Sequence, residues 1–114
     1  MQKENRRHRR FDSLNTVAYF CLDHLGNVVG QGMGRTLNLS QSGILLNVYR
    51  YLDDCRQLLI HIGLKEDLIE VRGQAIHCKQ QAGVRGYQCG IEFIDLSEES
   101  RTTLAKFVAE FEKD

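Results

Sequence analysis

The sequence predicts an all-β domain, a small antiparallel barrel or sandwich with one helix at its C-terminal end. Three observations carry this. Six short segments are rich in β-branched and aromatic residues. Polar or glycine-containing turn clusters separate them at short spacing. A single final segment repeats its apolar residues with the helical period. At 114 residues the chain suits one core, so 1–114 reads as a single domain. Apolar residues make up 42% and charged residues 26%, the composition of a folded globular chain.

In chain order, residues 1–10 are a basic arm. Lys3, Arg6, Arg7, Arg9 and Arg10 lie within it, although the whole chain balances 15 basic against 15 acidic residues. Adjacent cations repel, and no apolar anchor comes before Phe11, so the arm is expected to be mobile without a ligand. Residues 11–95 hold the strands. TVAYFCL (16–22) is the first, and DHLGN turns the chain into VVGQGMGRTLNL (28–39). Gly30, Gly32 and Gly34 alternate there, which implies a bend, a bulge or a close approach of another backbone. SQSG (40–43) breaks the pattern, and ILLNV (44–48) resumes it.

QLLIHIGL (57–64) and LIEVRGQAIHC (68–78) flank the turn signal KED, and YQCGIEFIDL (87–96) follows a polar hairpin loop. In that last strand Tyr87, Cys89, Ile91 and Phe93 share a face by the period of two. The helix is placed at 97–113. Ser97 is the N-cap, Glu98 and Glu99 favour the first turn, and Leu104, Phe107, Val108 and Phe111 form the buried stripe.

Several function classes find no support. No apolar run approaches the ~18 residues of a membrane span, and no signal-peptide segment follows the N-terminal charges. A cytoplasmic protein without membrane insertion is expected. Cys21, Cys55, Cys78 and Cys89 have no zinc spacing and read as reduced, mostly buried thiols. Cys78 and Cys89 can face each other across a hairpin. His24, His61 and His77 stand alone, no nucleophile elbow or P-loop occurs, and Gly30 to Gly34 has the wrong spacing for a nucleotide loop. No catalytic residues, no metal and no cofactor are expected.

Two stretches remain. Arginine grips a phosphate or the edge of a guanine with two bonds and stacks on a base, which makes Arg6 and Arg10 candidates for an anionic ligand. NLSQSG (38–43) is on its own a tight turn, with Asn and Ser bonding back to the backbone.

Together, Arg6-Arg7-His8-Arg9-Arg10 and Asn38-Leu39-Ser40-Gln41-Ser42-Gly43 resemble the Arg-x-x-x-Arg and Asn/Asp-x-Ser-x-x-Gly motifs of the PilZ domain family. GILL, VRGQAIHC and CGIEFIDLSEESRTTLAKFV are similar to its later strands and closing helix, so the resemblance covers roughly residues 5 to 112. It implies a six-stranded antiparallel β-barrel with a C-terminal helix, and a bacterial receptor for cyclic di-GMP. By that resemblance Arg6 and Arg10 clamp guanine edges and phosphates, and Arg7 is a third contact. Asn38 bonds a guanine edge, Ser40 a phosphate or base, and Gly43 makes the turn. Arg9 stands where the family often has proline. His77 stands where it often has a large residue near the ligand, commonly Trp. A protein effector would read the liganded state. The other readings are a PilZ-like interaction module that binds no nucleotide, and a small barrel for single-stranded nucleic acid. The balanced charge and the lack of an aromatic row weaken the latter.

Overall fold

β-Branched and aromatic residues with alternating burial make β1 at Thr16–Leu22. It is followed by β2 (Val28–Leu39), β3 (Gly43–Val48), β4 (Gln57–Leu64), β5 (Asp67–Gln80), β6 (Tyr87–Ile94) and one helix, α1 (Glu98–Lys113). These come from a computed structural model that describes residues 16–49, 52, 55, 57–64, 67–80 and 85–113. The strands close into an antiparallel barrel in the order β1-β2-β3-β6-β5-β4, so the barrel alternative is the one adopted. β1 pairs with β2 on one side and β4 on the other, and closure leaves no strand edge to be covered.

The β1–β2 turn shows how locally the sequence acts. The Asp23 carboxylate accepts the amides of Leu25 and Asn27, each at 2.9 Å. Gly26 supplies the positive φ of 87° that an L-residue rarely adopts. β5 is the longest strand, with 14 residues. Its first part pairs with β4 from Asp67 to Gly73 and its later part with β6 from Arg72 to Gln80. One long strand thus carries the sheet around a corner of the barrel.

Inward positions of every strand meet in one core. Val17 and Tyr19 (β1), Leu46 and Val48 (β3), Leu58, Ile60 and Ile62 (β4), Val71 (β5), and Cys89 and Ile91 (β6) are all buried there. Gly32 leaves room for the Tyr19 ring, because a Cβ at 32 would lie 2.6 Å from the Tyr19 hydroxyl. The glycine therefore accommodates a side chain rather than a backbone.

Leu104, Phe107 and Val108 of α1 join the same core and are buried. The side chain of Phe111, the fourth expected member of the stripe, lies outside the described residues. Ser97 caps the helix: its Oγ accepts the Ser100 amide at 3.0 Å.

The cysteines correct the expectation of four reduced thiols. All four are paired, as Cys21–Cys55 and Cys78–Cys89. Linear spacing conceals the first pair, while the second joins the two cysteines expected to face each other across a hairpin. Cys55, in the connection after β3, comes within 5.4 Å (Cα–Cα) of Cys21 near the end of β1. Cys78 and Cys89 are direct cross-strand partners on β5 and β6, with Cα atoms 4.1 Å apart.

Candidate functional site

Two β-bulges govern where side chains point on one wall of the barrel. In β2 the pairing with β3 shifts between Thr36 and Asn38, leaving Leu37 as the extra residue. Strict alternation from buried Thr36 would turn Asn38 inward and Leu39 outward. With the bulge the phase flips: Asn38 is exposed and Leu39 is buried. In β5 the register against β6 shifts between Ala75 and His77, with Ile76 as the extra residue. His77 consequently faces out, and Cys78 packs against the core.

The two bulges face each other across β3 and β6. Asn38 pairs with Leu45, Leu45 with Gly90, and Gly90 with His77. These four residues form a row across four strands on the outside of the barrel, about 14 Å from end to end at ordinary strand spacing. A hollow of about 230 Å³ lies over this row, with Leu45 and Gly90 in its lining and Asn38, Ser40, Gly43, Ile76 and His77 around it.

Gly90 forms the middle of the floor because it lacks a side chain. The His77 ring lies against its backbone, and a Cβ at 90 would meet His77 Cε1 at 2.5 Å and Nδ1 at 3.0 Å. Ile76 contributes an apolar surface that is 61% exposed. For a large aliphatic side chain beside a polar turn, that exposure leaves an apolar face available to a flat ligand.

The turn after β2 closes the far side. Ser40 Oγ accepts the Gly43 amide at 3.1 Å and the Ser42 amide at 3.2 Å. The Ser40 amide donates to the Gly43 carbonyl at 2.9 Å, and the Phe93 amide donates to the Ser42 carbonyl at 2.9 Å. The turn is thus tied both to itself and to β6. Gly43 packs directly on β6, where a Cβ would meet the Ile91 carbonyl oxygen at 2.5 Å. Asn38 Oδ1 accepts the Leu39 amide at 2.9 Å, which leaves the carboxamide NH2 directed away from its own backbone.

Of the residues singled out from sequence, Asn38, Ser40 and Gly43 are therefore brought around one hollow, together with His77. Arg6, Arg7 and Arg10 lie outside the described residues. Leu45, Ile76 and Gly90 were not anticipated. A bulge changes no composition, and only a break in the inward–outward alternation around Ile76 and Cys78 marks it. Among the described residues, the lining of the hollow includes no lysine or arginine, and no cluster of metal-ligating side chains occurs. No described helix is long and apolar enough to cross a membrane.

A second, more polar concavity of about 640 Å³ lies beside the β1–β2 turn, bordered by Asp23, His24, Gln57, Arg72 and Gln74. It shares no residue with the first.

No curated protein matches the sequence. Among solved structures, the PilZ domain with c-di-GMP of YcgR from Escherichia coli is similar in fold, with a TM-score of 0.64 at 11% sequence identity. The match covers 86% of this chain and 82% of that one. The family model for the PilZ domain matches residues 4–110, a span that takes in both arginine and Asn-x-Ser-x-x-Gly motifs, all six strands and most of α1. The chain belongs to the PilZ domain family.

Proposed function

We propose that the protein is a cytoplasmic receptor for cyclic di-GMP, which it binds over the Asn38–Leu45–Gly90–His77 row. The observation that carries this reading is the convergence of Asn38, Ser40 and Gly43 with His77 around one hollow. The fold neighbour in the c-di-GMP-bound state adds support. A guanine has a flat face and a polar edge, and the hollow offers a partner for each. Ile76 and the His77 ring can take the face, and the Asn38 carboxamide the edge.

The phosphates need cations, and the described lining has none. Arg6, Arg7 and Arg10 supply them in this reading: the arm closes over the nucleotide, and its guanidinium groups take phosphates and guanine edges with two bonds each. Ser40 acts in this reading chiefly through the turn whose amides it accepts, and its exposed hydroxyl, 3.3 Å from the Gly43 carbonyl oxygen, turns to a phosphate when the ligand binds. In this reading the ligand leaves unchanged. A protein effector then reads the rearranged arm and the covered surface. The whole chain, 1–114, works as one domain in this account.

Calorimetry with cyclic di-GMP tests the reading. Wild type should bind at micromolar or lower concentration. Arg10→Ala should lose the charge-assisted bonds worth about 1.5–3 kcal/mol, or roughly ten- to a hundredfold in affinity. Both proteins should melt at the same temperature. Binding of Arg10→Ala equal to wild type would sink the proposed role of the arm. No heat with wild type would sink the nucleotide.

A further inference from the structure

The Cys78–Cys89 disulfide stands one residue from each of two groups central to the hollow, His77 on β5 and Gly90 on β6. We propose that this disulfide is a redox switch for the hollow: formation fixes His77 over Gly90 and strengthens nucleotide binding, and reduction weakens it. The proposal rests on the reading of the hollow as a cyclic di-GMP site.

The link between the two is strand phase. The bulge at Ile76 lets β5 present His77 outward and Cys78 inward. A shift of one residue past the bulge would exchange those directions. A covalent bond from Cys78 to Cys89 forbids that exchange, because Cys89 is fully buried and anchored in the core. Two thiols cannot share the space of one bond. Once unbonded, the two sulfurs need van der Waals spacing of about 3.5–4.0 Å, so at least one of them moves. Cys89 is fixed in the core and Cys78 is only half-buried, so on reduction Cys78 is the partner released to move, and His77 is its chain neighbour.

The chemistry is thiol–disulfide exchange with a small-molecule disulfide. The Cys78 thiolate attacks that disulfide, forms a mixed disulfide and releases one thiol. The Cys89 thiolate then attacks Cys78 Sγ and releases the second. The protein loses two electrons and two protons, which the oxidant carries away as two thiols. Cys78 leads because it is the more exposed of the pair. In a reducing cytoplasm the dithiol form predominates, and the bond forms under oxidant, the usual setting for a cytoplasmic disulfide that senses rather than supports.

The test measures calorimetric affinity for cyclic di-GMP in oxidised wild type, in wild type under excess dithiol, and in Cys78→Ser and Cys55→Ser under both conditions. Reduction should weaken wild type and Cys55→Ser by roughly five- to tenfold, the low end of typical coupling between sites. Cys78→Ser should bind like reduced wild type and ignore the dithiol. The His77 ring resonance of the ligand-free protein should shift on reduction in wild type and Cys55→Ser only.

Binding that ignores redox state in wild type overturns the proposal alone, as does a redox response that persists in Cys78→Ser. If Cys78→Ser melts early, Cys55→Ser decides, since it keeps only the Cys78–Cys89 pair, and an absent response there is equally fatal. Absence of binding in every form overturns the nucleotide reading, and the proposal with it.

Discussion

Adding one methyl group at Gly90 and at Gly43 should differ in its cost to stability, although both new Cβ atoms would arrive 2.5 Å from a neighbour. Ordinary contact begins near 3.4 Å, so about 0.9 Å must be found in each case. At Gly90 the obstacle is the His77 ring, which is exposed and can swing away. Forcing a side chain off its rotamer costs about 0.5–1.5 kcal/mol. Replacing glycine by alanine returns about 0.4–1 kcal/mol through the unfolded chain. Gly90→Ala should therefore fold with stability within about 1 kcal/mol of wild type. At Gly43 the obstacle is the Ile91 carbonyl oxygen, part of the β3–β6 ladder. It cannot move without the strand, and overpacking of that kind costs about 1–3 kcal/mol.

Binding should set Gly90→Ala apart from wild type even though its fold stands. Gly90→Ala displaces the ring proposed to stack on a base, a contact worth about 1–3 kcal/mol, so its affinity for cyclic di-GMP should fall at least fivefold while the fold stands. Urea denaturation and calorimetry on the two variants check both halves. Equal destabilisation of both would refute the claim that His77 is the yielding partner. Wild-type affinity in Gly90→Ala would refute the placement of the ligand over His77.

Two further outcomes follow from the core and the first turn. Phe107 is fully buried at the junction of helix and barrel, so Phe107→Ala should cost about 3–5 kcal/mol, read as a lower urea midpoint. Asp23 is held below the ordinary carboxylate pKa chiefly by the Asn27 amide, with the Leu25 amide adding to it. Its contribution is therefore present above about pH 4, the ordinary value, and is lost as pH falls through the lowered one. The stability difference between wild type and Asp23→Ala should be flat at neutral pH and shrink on acidification. A difference that grows below pH 4 would contradict the turn geometry.

Strand and helix positions were legible because each is set by local pattern. TVAYFCL, QLLIHIGL and YQCGIEFI carry strand composition between turn signals, and Ser97 with Glu98 and Glu99 marks a helix start on its own. The alternating glycines did mark a bulge beside Gly30, where Val29 is the extra residue of β2 against β1, but the two bulges at the site were not legible. One extra residue at Leu37 or Ile76 leaves composition unchanged, and its effect appears only against the partner strand. That is why Leu45 and Gly90 escaped notice as the middle of the row, whereas the facing of Cys78 and Cys89 across a hairpin was legible and only their bond was not expected. Cys21 and Cys55 are 34 residues apart, and their meeting depends on the path of the whole β3–β4 connection. Within the site, Asn38, Ser40 and Gly43 were legible as one turn, since their bonds run over a few residues. The position of His77 came through family resemblance, and its contact with Gly90 required the register of β5 on β6.

The most direct test of the central claim is amide and histidine-ring NMR of the 114-residue chain during titration with cyclic di-GMP. The largest shifts should run along Asn38, Leu45, Gly90 and His77 and through the turn from Ser40 to Gly43, with the arginine arm responding alongside. Shifts centred instead on Asp23, Gln57 and Arg72, or no shifts at all at saturating nucleotide, would contradict the account.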